Sequence, residues 1–143
     1  MDAPFVMLVD DEAPFVETMT KRLSKRNLTI ITAGNGKEAL EQLNHNRNLD
    51  VIILDVKMPE MDGIEALREI KGISPLTEVI MLTGHATVET AIEGMRLGAF
   101  DYLMKPCDID QLVGKVTDAA RKKREHEEKI REARVKEALS YSS

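Results

Sequence analysis

Val51-Ile-Ile-Leu-Asp-Val-Lys-Met-Pro-Glu-Met-Asp-Gly63 is the stretch that decides the fold. Its first four residues are apolar without interruption, the pattern of a short strand buried on both faces. The run stops at Asp55. Pro59 and Gly63 then punctuate a loop, and apolar residues return at helical spacing from Ile64 to about Ile70. A strand, a carboxylate at its end, a turn-rich loop and a helix make one β/α unit.

The same unit recurs on either side. Upstream, Phe5–Val9 leads into a helical pattern over Glu12–Lys25 carrying Phe15, Met19 and Leu23. Leu28–Ala33 is followed by the turn Gly34-Asn-Gly36 and a helical pattern over Lys37–Asn46 carrying Ala39, Leu40 and Leu43. Downstream, Glu78–Leu82 precedes a helix over Val88–Leu97 that Gly98 stops. Phe100–Met104 precedes a last helix with Asp108 as its N-cap and Ile109, Leu112, Val113 and Val116 on one face. Five such units predict an α/β fold, a parallel sheet covered by helices on both faces. With right-handed crossovers, the expected architecture is a doubly wound five-stranded sheet of flavodoxin-like order 2-1-3-4-5, its ligand crevice at the carboxyl ends of the strands.

The length of 143 residues accommodates one core domain, expected over 1–120, and a tail. The tail is expected over 121–143; from about Arg121 to Glu137 basic and acidic residues nearly alternate, with i,i+4 pairs at Arg121–Glu125, Lys123–Glu127, Glu125–Lys129 and Glu132–Lys136. This predicts a solvated helical extension, fraying before Ser140, whose sparse apolar stripe would make only a weak coiled coil by itself. A formal charge of −5 and the absence of Trp argue against sequence-independent nucleic-acid binding and base stacking. The apolar runs are too short to span a membrane, and no secretory signal is evident at the N-terminus. Cys107 is the single cysteine, so no internal disulfide forms, and a cytoplasmic location is expected.

Polar groups that end strands are the candidates for chemistry. Asp10 and Asp11 end the first strand, Asp55 the third and Thr83 the fourth, and the fifth leads into Lys105-Pro106. Three gathered carboxylates repel one another, and a hard cation such as Mg²⁺ relieves that repulsion while leaving room for water and a phosphate oxygen. Lys105 adds positive charge, and Thr83 can donate to an oxyanion. Such a set suits phosphoryl transfer, with a carboxylate able to act as the nucleophile. Singly, each residue has a plainer reading: helix cap for Asp10-Asp11, strand end for Asp55, surface for Thr83 and Lys105. The joint pattern at four strand ends carries the inference. The same weighing leaves Gly63 as a turn or helix start and Gly84 as either room for a phosphodonor or loop flexibility. His45, His85 and His126 read as surface residues, and the eight Met as adaptable core filler.

Asp10-Asp11-Glu12, Leu54-Asp-Val-Lys-Met-Pro59, Met61-Asp-Gly63, Leu82-Thr-Gly-His-Ala86 and Ala99-Phe-Asp-Tyr-Leu-Met-Lys-Pro106 together resemble the receiver domains of two-component signalling, over residues 4 to 120. Between Leu82 and Pro106 the chain is most similar to receivers of σ54-dependent transcriptional activators. The resemblance implies Asp55 as phosphoacceptor. It implies Mg²⁺ held by Asp10, Asp11, Asp55 and the backbone carbonyl of Lys57, and Lys105 pairing with Asp55 and then with the phosphoryl oxygens. Thr83 and Tyr102 would be the switch residues, and Lys105-Pro106 a cis peptide. It further implies a histidine kinase or phosphotransfer protein as donor, an output domain or partner, and a homodimer through the face of the fourth helix, fifth strand and last helix. In such a reading the chain is a phosphorylation-dependent switch and not a turnover enzyme.

Three other functions fit less well. A haloacid-dehalogenase-type hydrolase carries a second acid two residues after its nucleophile, where this chain has Lys57. A flavodoxin-like nucleotide or flavin binder needs a glycine-rich phosphate loop after the first strand, where Asp10-Asp11 would repel the ligand. A non-phosphorylated adapter is disfavoured by the complete residue set.

Overall fold

Each of the five apolar runs is a strand in the computed structural model, which describes residues 2–142; Met1 and Ser143, at the ends of the two expected segments, lie outside the described residues. The strands are β1 (Phe5–Val9), β2 (Thr29–Ala33), β3 (Val51–Leu54), β4 (Glu78–Thr83) and β5 (Asp101–Met104). They alternate with α1 (Ala13–Ser24), α2 (Gly36–His45), α3 (Gly63–Ile73), α4 (Val88–Arg96) and α5 (Ile109–Ser142). All pairings are parallel, in the order β2-β1-β3-β4-β5 anticipated above. The central strands β3 and β4 are buried at every residue, which is why their apolar runs are unbroken.

Helix ends follow local chemistry. Asn35, Asp62 and Thr87 cap α2, α3 and α4 by accepting from the backbone N–H three residues on. Asp108 does the same for Gln111 at the start of α5. Gly98, at φ 102°, ends α4 in a conformation that favours glycine. The core lies in two layers. Met7, Leu54, Leu67 and Met81 belong to the layer under α2 and α3, while Leu8, Ile53, Leu112 and Val116 belong to the layer under α1 and α5. Met95 and Met104 lie outside both and are exposed, so the methionines are not all core filler.

At the amino ends of β3 and β4 two carboxylates are buried, those of Asp50 and Glu78. Burying a carboxylate without a partner is costly, and α5 supplies three consecutive cations. Arg124 donates to both Asp50 oxygens (3.2 and 2.8 Å) and to the carbonyls of Asp2 and Ala3. Lys123, only 5% exposed, lies 3.4 Å from Asp50 and 3.0 Å from Glu127, and Lys122 lies 3.4 Å from Glu78. Lys123 and Arg124 are therefore fastened to the foot of the sheet and depart from the expected solvated face, whereas Arg121 and Lys122 remain exposed. The helix also continues through Ser142, past the expected fraying point at Ser140. Among the described residues no helix is long and apolar enough to cross a membrane.

Burial alone would raise the Asp50 carboxyl; hydrogen bonds from Arg124 and from the Phe5 N–H, with Lys123 nearby, hold it below its ordinary value of 3.8. A lowered carboxyl stabilises the fold above the ordinary value, and that stabilisation is lost as pH falls through the lowered one. Asp50→Asn is expected to cost about 2 kcal/mol at pH 7. Urea unfolding at pH 7 and pH 3 checks it: the gap between wild type and variant should narrow on acidification.

Candidate functional site

The strand order brings the carboxyl ends of β1, β3, β4 and β5 side by side, and the last rungs of the ladder set the residues that follow. The Asp55 N–H donates to the Val9 carbonyl (3.1 Å), and the Lys105 N–H donates to that of Thr83 (2.9 Å). Asp10 is held by its N–H on the Ala33 carbonyl (3.1 Å). Asp10, Asp55 and Thr83 are buried, whereas Asp11 is exposed at the rim. One carboxylate oxygen from each of Asp10, Asp11 and Asp55 falls within a group 4.8 Å across.

Lys105 lies across this acidic group. Its Nζ donates to Asp10 (2.7 Å) and Glu12 (3.2 Å), stands 3.7 Å from Asp55 Oδ2, and sits 3.9 Å from the centre of the Phe15 ring. The shortest pairing is thus with Asp10 and not with Asp55. Burial alone would lower the Lys105 ammonium; Asp10, Asp55 and Glu12 outweigh it and hold the pKa above the ordinary lysine value. For Asp10 burial wins: its carboxyl is raised despite Lys105 and the Glu12 N–H, and the Asp55 charge adds to the rise. Asp55 Oδ1 is buried without a hydrogen-bond partner. An orphaned carboxylate oxygen among hard oxygen donors fits a small divalent cation.

Thr83 and Tyr102 are engaged in local hydrogen bonds. Thr83 Oγ1 accepts from the His85 N–H (3.0 Å). The Tyr102 hydroxyl shares a 2.6 Å hydrogen bond with Thr90 Oγ1. Lys57 is exposed in the loop after β3, Gly84 is open toward solvent, and the Lys105–Pro106 peptide is cis. His45, His85 and His126 are all exposed. From the sequence Glu12 belongs to the Asp10-Asp11-Glu12 motif and Phe15 to the apolar face of the first helix, and neither is expected to meet Lys105. The spacing of Glu12 from Lys105 in the chain, 93 residues, gives no signal of contact.

The sequence profile described as "Response regulator receiver domain" matches residues 6–117. The chain belongs to the response-regulator receiver family. It is therefore similar to domains that act as signalling switches in two-component systems. Regulatory protein AtoC of Escherichia coli is 41% identical over 107 residues, covering 75% of this receiver and 23% of AtoC. DNA-binding transcriptional regulator NtrC of the same organism is 39% identical over 119 residues, covering 83% and 25%. The receiver thus spans about a quarter of the length of these relatives. A receiver structure from Clostridium thermocellum superposes with a TM-score of 0.81 at 36% identity, covering 85% of this receiver and 97% of that chain.

Proposed function

We propose that this receiver takes a phosphoryl group from a histidine kinase or phosphotransfer protein onto Asp55, and that the modification switches its α4-β5-α5 face. The observation that carries the reading is Asp55 itself: buried, with one oxygen unpartnered, between an acidic group and an ammonium. Asp10, Asp11, Asp55 and the Lys57 carbonyl would hold Mg²⁺. When bound, the ion supplies positive charge for the donor's phosphoryl oxygens. The Asp55 carboxylate attacks phosphorus, the phosphorus–nitrogen bond of the donor phosphohistidine breaks, and its electron pair returns to the imidazole. Lys105 turns from Asp10 to the phosphoryl oxygens and stabilises their charge. Thr83 gives up the His85 N–H and donates its hydroxyl proton to the same oxygens. The added charge of about −1.5 to −2 then biases two packings of the switch face.

Val88, Ile92, Met95 and Met104 are exposed on α4 and at the end of β5, and this supports the face as the place where a homodimer or an output partner docks. In this reading 1–120 is the receiver proper and 121–143 the helical extension. The location is cytoplasmic and the output is transcriptional, as in σ54-dependent activators. The test is intact mass after incubation with a small acyl phosphate. A phosphate-sized gain that needs Mg²⁺ and disappears with chelator is expected; no gain under any condition would end the proposal.

Binding also gives a stability readout. Mg²⁺ at about ten times its Kd should add about 1.4 kcal/mol, raising the melting temperature by about 4 °C. Calorimetry with and without chelator checks this, and Asp10→Asn should abolish most of the shift.

A further inference from the structure

Tyr102 is fixed from two directions. Its ring lies against the backbone of α4 at Gly94, where an added Cβ would come within 3.6 Å of Tyr102 Cδ2, with Met81 3.7 Å from the same point. Its hydroxyl is bonded to Thr90. Thr90 is also the third residue of the α4 capping box: its Oγ1 accepts from the Thr87 N–H (3.2 Å), and its N–H donates to Thr87 Oγ1 (3.1 Å). One hydroxyl therefore serves two elements, closing the first turn of α4 and holding the aromatic side chain of β5.

From this shared hydroxyl we infer that Thr90 is a positioning residue that latches Tyr102 to α4 and sets how readily the switch leaves the packing seen here. The inference rests on the switch role proposed for Tyr102 above. Tyr102 cannot swing away from α4 without breaking the bond to Thr90. The surroundings offer Thr90 replacements, since Thr87 Oγ1 (2.9 Å) and the Thr87 carbonyl (3.2 Å) are within reach. Breaking the latch therefore leaves the capping box intact, and its cost falls on the Tyr102 hydroxyl. Phosphorylation works against that cost. Thr90 accordingly raises the threshold for switching, and its loss lowers it.

Tyr102→Phe removes the latch from one end and keeps the capping box; Thr90→Val removes it from the other, together with one capping acceptor; Thr90→Ser keeps the hydroxyl. The measurement is the affinity of the full chain for beryllofluoride in Mg²⁺, as a mimic of the acyl phosphate. Tyr102→Phe and Thr90→Val are expected to bind about fivefold tighter than wild type, the factor one net hydrogen bond carries. The double variant should gain no more than either single one, and Thr90→Ser should match wild type. Unchanged or weaker binding in both single variants overturns the latch. Beryllofluoride binding by wild type keeps the phosphoacceptor reading standing in that case.

Relaxation dispersion on the α4 amides without ligand decides the matter even where wild type binds no beryllofluoride, an outcome that sinks the phosphoacceptor reading instead. A latch predicts a larger exchange contribution in Tyr102→Phe and Thr90→Val than in wild type or Thr90→Ser. Equal dispersion in all four overturns it.

Discussion

Asp55→Asn is expected to take up no phosphoryl group from an acyl phosphate and Mg²⁺, and its fold is expected to become slightly more stable than wild type in the absence of the ion. The loss of uptake follows from the chemistry: an amide is not a nucleophile toward phosphorus, and removing the nucleophile of a covalent step commonly lowers its rate by about 10⁴-fold or more. The gain in stability follows from the geometry. Asp55 Oδ1 has no hydrogen-bond partner to lose, and Oδ2 is 3.7 Å from Lys105. Asparagine has the same shape and removes one charge from a crowded acidic group, relieving Asp10, whose carboxyl burial and the Asp55 charge both raise. The expected gain is about 1 kcal/mol, and the melting shift caused by Mg²⁺ should shrink with it. Intact mass and calorimetry on one preparation read both effects. Labelling of Asp55→Asn at the wild-type rate would move the phosphoacceptor elsewhere; a less stable variant would show that the ionised carboxylate stabilises the fold.

Gly63→Ala should be among the most destabilising single-methyl additions in the chain. The Gly63 N–H donates to the Val56 carbonyl at 2.6 Å, drawing the start of α3 against the backbone that leaves β3. A Cβ at Gly63 would fall well inside contact distance of the Asp55 carbonyl oxygen and 2.7 Å from the Val56 Cα. Both obstacles are backbone, so no side-chain rotation relieves them. Either α3 withdraws or the Asp55–Val56 segment moves, and the expected cost is about 3 kcal/mol or more. The displaced segment carries Asp55, so Mg²⁺ affinity should fall along with stability. Gly36→Ala is the control. The atoms nearest its Cβ all belong to the flexible Met61 side chain, and a cost below about 1.5 kcal/mol is expected there. Urea midpoints of the two variants, with Mg²⁺ titrations alongside, measure the contrast. Equal midpoints would mean that the α3 start is looser than its contacts imply.

Gly63 also marks where the sequence reading ran out. Position and neighbours pointed to a turn or helix start, and α3 does begin there. Nothing in one sequence distinguishes a glycine that bends from a glycine that lets two backbones touch. The sheet was legible because parallel strands covered on both sides leave unbroken apolar runs, as in Val51–Leu54. The acidic group was legible because strand order carries strand-end residues to one edge. The basic run was less so: Lys122, Lys123 and Arg124 match the alternating pattern of a solvated helix, and their partners Asp50 and Glu78 lie far away in the chain. The available signal was a carboxylate at the threshold of each buried strand, since such a group needs a cation from somewhere. The same distance along the chain hid Glu12 and Phe15 from Lys105, and Thr90 gave no sign of reaching Tyr102.

The fastening of α5 at the foot of the sheet has a mechanical consequence. Its 34 residues make a rod about 51 Å long, braced by apolar packing near Leu112 and Val116 and pinned again at Arg124. Beyond the pin, residues 125 to 142 overhang by about 27 Å. A rotation of about 5° about that support carries the tip through about 2 Å. Small readjustments between α5 and the sheet are thereby magnified toward the far end of the helix, on the side of the molecule opposite Asp55.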